Sequence, residues 1–179
     1  MTQALLVVDL QQVLCSGRWA MHEADGVVAR TRSLAARARA AGVPVIWVQH
    51  EDEGDTMRAG AAGWQLATGL EVLPGDLHVH KRGSDAFHDT ELHATLAARG
   101  VSTLVVCGGQ SDFCVDSTVR RAMALGYAVV AVADAISTLD TSQLTAAQIT
   151  AHHLATWAAL ESYGPRTTLA ASADVRFAG

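Results

Sequence analysis

Three residues in this chain could do covalent chemistry together: Cys114, Asp9 and Lys81. A thiol becomes a strong nucleophile at neutral pH when a base takes its proton. A carboxylate such as Asp9 can be that base, and a lysine beside it holds the carboxylate in place and favours its charged form. Thiolate attack on a carbonyl carbon builds charge on the carbonyl oxygen, which then needs N–H donors. Cys114 sits in VSTLVVCGGQSDFCVDSTVRR, residues 101–121, which reads as a buried strand, a Gly-Gly turn and a helix. Gly108 and Gly109 permit backbone angles that other residues resist. Ser111 or Asp112 is the candidate cap of the helix. Cys114 would then lie among free N–H groups at a helix start, where the dipole favours a thiolate and the thiol should ionise more readily than a free one. The N–H groups of Gln110 and Cys114 are the candidate oxyanion donors. Each residue also fits a plain structural role: Cys114 as a buried core thiol, Asp9 as the end of a strand, Lys81 as a surface lysine.

The surrounding elements decide whether the three can meet. Residues 4–8 form an apolar run that stops at Asp9, as a buried parallel strand with a carboxylate at its C-terminal end would. Residues 10–21 read as loop. Residues 25–41 carry an amphipathic helical pattern ended by Gly42, and residues 43–48, VPVIWV, read as a second strand. Residues 49–73 are long and irregular, with Trp64 and Leu66 as anchors to the body. A third strand over 77–80 leads into Lys81. A helix over 90–99, the strand–turn–helix around Cys114, a strand over 127–133, a capping-box helix from Thr145 and an edge strand over 166–170 complete the chain. Strands alternate with helices and are uniformly apolar, which predicts an α/β fold with a mainly parallel sheet covered on both faces. No repeat or linker divides residues 1–179, so a single domain is expected. In such sheets the site lies beyond the strand C-termini, where strand order reverses. Asp9, Lys81 and Cys114 each follow a predicted strand and can share that edge.

Composition narrows the partners. Of 179 residues, 50% are hydrophobic and 17% charged, as in a compact globular protein. A net charge of -5 and no basic run argue against nucleic acid. No apolar stretch is long enough to span a bilayer, and the N-terminal run ends at an acidic residue rather than a cleavage site. Three cysteines are too few for a disulfide scaffold, so a reducing, cytoplasmic setting is expected. The histidines show no zinc-ligand spacing, and Gly108-Gly109 extends to no phosphate-binding motif. Neither a metal nor an organic cofactor is expected.

The motifs ALLVVDLQ at 4–11, HKRGSDAFHDTELHATLAARGVSTLVVCGGQSDFCVDSTVRRAMALGY at 80–127 and VVAVADAIST at 129–138 resemble, in order and spacing, the isochorismatase-like cysteine hydrolases, which include nicotinamidases and N-carbamoylsarcosine amidases. The resemblance covers nearly the whole chain. It implies a six-stranded sheet in Rossmann-like order within a three-layer α/β/α sandwich, with Asp9, Lys81 and Cys114 as a catalytic triad. It also implies a cis peptide at Gly109–Gln110 and a homo-oligomer, a dimer or tetramer. The implied reaction is attack by Cys114 on an amide or carbamoyl carbon of a small molecule, with Asp9 moving the proton and water releasing a thioester. The chain departs from the family where Gln12, Val13 and Leu14 replace Asn-Asp-Phe. It also has Gln49, His50, Glu51 and Asp52 where nicotinamidases carry a metal-binding Asp-x-His, so nicotinamide is disfavoured. Isochorismatases proper lack the cysteine, so Cys114 favours C–N hydrolysis over vinyl ether cleavage. Gln11, Trp19, His50, Trp64 and Phe87, with Gln110, are the candidate pocket residues, since their segments lie near the sheet edge. A redox thiol or binding protein on the same scaffold is the non-hydrolytic alternative, with Cys15 as the resolving cysteine.

Overall fold

A computed structural model describes residues 2–178. The elements run β1 (Thr2–Val8), α1 (Gln12–Cys15), a 3-10 turn (Gly17–Trp19), α2 (Ala24–Ala40), β2 (Val45–His50), β3 (Leu77–Lys81), α3 (Leu92–Ala98), β4 (Val101–Gly109), α4 (Cys114–Ala124), β5 (Ala128–Ser137), α5 (Ala146–Ala159) and β6 (Thr167–Ala170). The six strands form one sheet in the order β3-β2-β1-β4-β5-β6, and every neighbouring pair is parallel. This is the α/β architecture expected from the alternating pattern.

The central strands β1, β2 and β4 read as long apolar runs because successive side chains feed two different cores, whereas the edge strands β3 (LHVHK) and β6 (TTLA) are partly exposed. Leu5 and Val7 of β1, Trp47 of β2 and Val105 and Cys107 of β4 pack with Leu34 and Ala38 of α2 on one face. Leu6 and Val8, Ile46, and Leu104 and Val106 pack with Leu96 of α3, Val119 of α4 and Trp157 of α5 on the other. The expected capping box holds: the Thr145 hydroxyl accepts from the Gln148 N–H while the Gln148 side chain accepts from the Thr145 N–H.

Three local expectations need correction. Residues 10–21 are not plain loop but carry α1 and the 3-10 turn, short elements with no amphipathic period to reveal them. Their helical turns are secured from outside, by Gln12 N–H to the Gln65 carbonyl and Val13 N–H to the Gly63 carbonyl. Secondly, β5 extends to Ser137, with a register shift against β4 between Val106 and Gly108 that lets Ser137 pair with Gly109. Thirdly, neither Ser111 nor Asp112 caps α4. The N-cap is Phe113, with no side-chain cap. The Ser111 hydroxyl pairs with that of Thr150, and Asp112 accepts from the Thr138 hydroxyl.

Candidate active site

The strand order reverses between β1 and β4, and the ends of both strands open into one cavity of about 600 Å³. Asp9, immediately after β1, adopts a left-handed backbone conformation with φ 49°, which Asp tolerates better than most residues. Its N–H donates to the Val48 carbonyl, which fixes it against β2. Lys81 ends β3 and is the register partner of His50, so both side chains are delivered side by side. Cys114 opens α4 just beyond β4. The glycines between strand and helix are there for space. A Cβ on Gly108, whose φ is 123°, would lie 2.0 Å from the Val8 carbonyl oxygen, and one on Gly109 would lie 2.2 Å from Met21 Sδ. At Gly108 only a glycine lets β4 approach the β1 backbone this closely, whereas Gly109 faces the movable end of the Met21 side chain. The Gly109–Gln110 peptide is cis.

Lys81 Nζ is the centre of the cluster. It lies 2.7 Å from Asp9 Oδ2, 3.1 Å from Cys114 Sγ, 3.1 Å from the Gly83 carbonyl oxygen and 3.3 Å from His50 Nδ1. The lysine and aspartate side chains are 0% and 1% exposed, so this ion pair is out of water. Although the two charges touch, neither Asp9 oxygen receives a well-aligned hydrogen bond from the described residues. Burial pulls the Lys81 ammonium down, but Asp9 and Cys114 outweigh it and hold it above its ordinary value.

Cys114 differs from the expectation of an easily ionised thiol. Burial first, then Asp9, push it up to about 12, against the pull of Lys81. At neutral pH it rests as a thiol, because desolvation and a neighbouring carboxylate both oppose a thiolate and together outweigh the helix start. A thiol in that state depends on a base to ionise at the moment of attack. The N–H groups of Gln110 and Cys114 have no hydrogen-bond partner among the described residues, while the Gln110 carbonyl accepts from the N–H groups of Phe113 and Val115. Both residues line the cavity that the sulfur faces.

The candidate pocket residues divide. Trp19, His50 and Gln110 line the cavity with Asp9 and Cys114. Gln11, Trp64 and Phe87 do not. Phe87 is buried in the core and stacks on Tyr127 at 5.9 Å between ring centroids, because the turn after β3 points its ring at the helical layer. Gln11 is fully buried and works one layer out. Its side-chain oxygen accepts from the His50 N–H and its nitrogen donates to the His50 carbonyl, both at 2.9 Å, and to the Trp64 carbonyl at 3.0 Å. Gln11 thus clamps the backbone of His50, while Trp64 offers its carbonyl to Gln11 and Gln49 and its ring to His78 and His80. The rest of the wall was not legible residue by residue: Leu14 of α1, Met57 of the long loop, Phe113, and Leu139 with Asp140 after β5. Phe113 is 55% exposed and Trp19 52%, which is the one signal of a wall rather than a core position. His50 itself is held neutral: burial lowers it first and Lys81 second.

Comparison with known proteins agrees with this geometry. Residues 3–161 match the family model described as the isochorismatase domain. The chain is 45% identical over 139 residues to a streptothricin hydrolase of Streptomyces noursei, covering 77% of this chain and 50% of that protein. It therefore spans about half the length of the streptothricin hydrolases it matches. It is 30% identical over 171 residues to ureidoacrylate amidohydrolase RutB of Methylobacterium radiotolerans, covering 75% of this chain and 66% of that one. Among solved structures, N-carbamoylsarcosine amidase from Thermoplasma acidophilum superposes with a TM-score of 0.81 at 25% identity, over 98% of this chain and 99% of that one. No helix of the described residues is long and apolar enough to cross a membrane. A parallel sheet in this order, a cysteine at the switch point and a match over most of the chain have one common explanation: the protein belongs to the isochorismatase-like cysteine hydrolase family.

Proposed function

We propose that this chain hydrolyses a C–N bond, an amide or carbamoyl group of a small molecule, through a thioester on Cys114. The observation that carries the reading is the buried contact of three groups at the cavity floor, with Lys81 Nζ 3.1 Å from Cys114 Sγ and 2.7 Å from Asp9 Oδ2. Asp9 takes the thiol proton as sulfur attacks the carbonyl carbon. Gln110 and Cys114 N–H groups receive the developing oxyanion. Asp9 returns the proton to the departing nitrogen, then draws one from the water that attacks the thioester. Lys81, 2.7 Å from Oδ2, holds the Asp9 side chain in register throughout. A resting thiol pushed up to about 12 supports a role for a base, since it would not attack unaided. The names of the streptothricin hydrolase, ureidoacrylate amidohydrolase and N-carbamoylsarcosine amidase relatives support a C–N substrate. Vinyl ether cleavage has no use for this sulfur. A redox-sensor reading lacks support too, because Cys15 lies in a separate depression beside Glu23 and Arg30 and is likewise pushed up to about 12.

The test is ammonia or amine release from a panel of small amides, ureas and carbamoyl compounds, with Cys114→Ala as control. Turnover that falls about a thousandfold or more in the variant, with its circular dichroism unchanged, is the expected result. Equal turnover in the two proteins would remove Cys114 from the reaction.

A further inference from the structure

The groups around Lys81 Nζ are a carboxylate oxygen, a thiol sulfur, an imidazole nitrogen and a carbonyl oxygen. All four point at one positive charge. Three of them, from Asp9, His50 and Cys114, are the side-chain types that bind zinc-class ions. Their ligand atoms lie within 4.8 Å of one another, although 41 to 105 residues separate them in sequence, which is why no spacing motif announces them. Donors in a tetrahedral zinc site stand about 3.5 Å apart, so a contraction of about 1.3 Å at most from the 4.8 Å bound would bring the set to bonding distance.

Two further observations favour an ion here. Asp9 is 1% exposed and lines the cavity with a carboxylate that no aligned donor satisfies. Lys81 engages Oδ2 at 2.7 Å, while Oδ1 has no hydrogen-bond partner among the described residues, so the carboxylate keeps an acceptor open to an incoming charge. His50 presents Nδ1 to the cluster from a backbone that Gln11 holds at two points, an outer-layer support of the kind that orients metal-ligating histidines.

We propose that Asp9, His50 and Cys114 form a site for a thiophilic divalent cation of the zinc class, entered through the main cavity, with the Lys81 ammonium occupying the ion's place in the metal-free protein. On binding, the Cys114 S–H bond breaks, its proton leaves to buffer and a sulfur–metal bond forms. His50 coordinates as neutral imidazole and Asp9 as carboxylate. The two anionic ligands balance the ion's two charges. Lys81, left without a counter-charge, loses a proton to buffer or withdraws toward the Gly83 carbonyl. An ion so held engages the sulfur and carboxylate at once and blocks any reaction that needs them, until a chelator removes it. The site shares Asp9 and Cys114 with the proposed hydrolase, but coordination is read without substrate and stands or falls apart from that reaction.

Cobalt(II), a spectroscopically visible stand-in for zinc, tests the site in the full chain. Wild-type protein titrated with cobalt should gain a near-ultraviolet sulfur-to-metal charge-transfer band at one equivalent, lost on adding zinc or a chelator and absent in Cys114→Ala. That control retains Cys15 and Cys107. His50→Ala, a change at a half-buried position, should weaken cobalt binding at least about tenfold. Lys81→Met, if its circular dichroism shows it folded, should bind at least about tenfold more tightly. No band with the wild type at millimolar cobalt, a band that survives Cys114→Ala, or unchanged affinity in His50→Ala would each overturn the site.

Discussion

Asp9 and Asp76 are both buried carboxylates with a basic side chain against them, and they are built in opposite ways. Asp76 lies in the turn before β3, with its side chain 4% exposed. Arg39 reaches it with Nε at 3.1 Å and Nη2 at 2.6 Å, Trp47 Nε1 donates at 2.8 Å and the Leu73 N–H at 3.0 Å. Three donors converge on Oδ2 and one on Oδ1. Burial alone would raise Asp76, yet these donors hold it below its ordinary 3.8. Asp9 has a cation at 2.7 Å and no aligned donor at either oxygen. A carboxylate saturated with donors is a poor proton acceptor and a good strut. One left open beside a thiol is costly to the fold and free to move a proton. The same residue type therefore separates into structure and chemistry by the completeness of its hydrogen bonding.

Removing the Asp9 charge should give the largest effect of the set. Asp9→Asn is expected to lower kcat/KM by about a hundredfold to ten-thousandfold, the usual loss when a general base is removed. Stability should fall as well, by about 3–5 kcal/mol, because a buried Lys81 is left without a counter-charge. Asp9→Asn combined with Lys81→Met should recover part of that stability in urea unfolding and none of the activity. Retained turnover in Asp9→Asn would break the contrast with Asp76.

Asp76→Asn is the converse. It should cost about 1–3 kcal/mol of stability and leave kcat/KM unchanged, since Asp76 lies away from the cavity. The sign with pH follows from its lowered value. The stabilisation is fully present above the unfolded value near 3.8 and is lost as pH falls through the lower folded one. Acid unfolding curves of wild type and Asp76→Asn should converge at the acid end. Curves that stay parallel down to that limit would count against the strut.

How legible each carboxylate was in the sequence follows from the same difference. Asp9 interrupts an apolar run at a strand end, and Lys81 and Cys114 follow strands, so the parallel α/β pattern alone brings them to one edge. Asp76 gives no such signal, because its donors come from α2, β2 and a turn and depend on tertiary approach. The resting state of Cys114 was misjudged for a related reason. A helix start is visible in sequence, but the desolvation and the nearby Asp9 that outweigh it are not. Gln11 and Trp64 lie one layer behind the cavity wall rather than in it. The sequence shows that a residue lies near the sheet edge, not whether its side chain turns into the cavity or behind its wall. His50 was assigned to the pocket and lies there, yet its contact with Lys81 comes from β2–β3 register, which no single strand encodes.

The smallest effect belongs to His50, whose neutrality keeps a second cation away from Lys81. Burial, then Lys81, hold it below its ordinary 6.5, so over the pH range between the folded and unfolded values the unfolded chain binds more protons than the folded one. Stability must then rise with pH through that range and level off above 6.5. His50→Gln cannot titrate and should flatten this one segment of the stability profile while leaving the more acidic limb, where Asp76 acts, unchanged. Urea midpoints taken every half pH unit would resolve it. A segment that keeps its slope in His50→Gln would mean that another histidine governs it. The buried cluster would then be insulated from the charge state of its own wall, as the saturated site at Asp76 is.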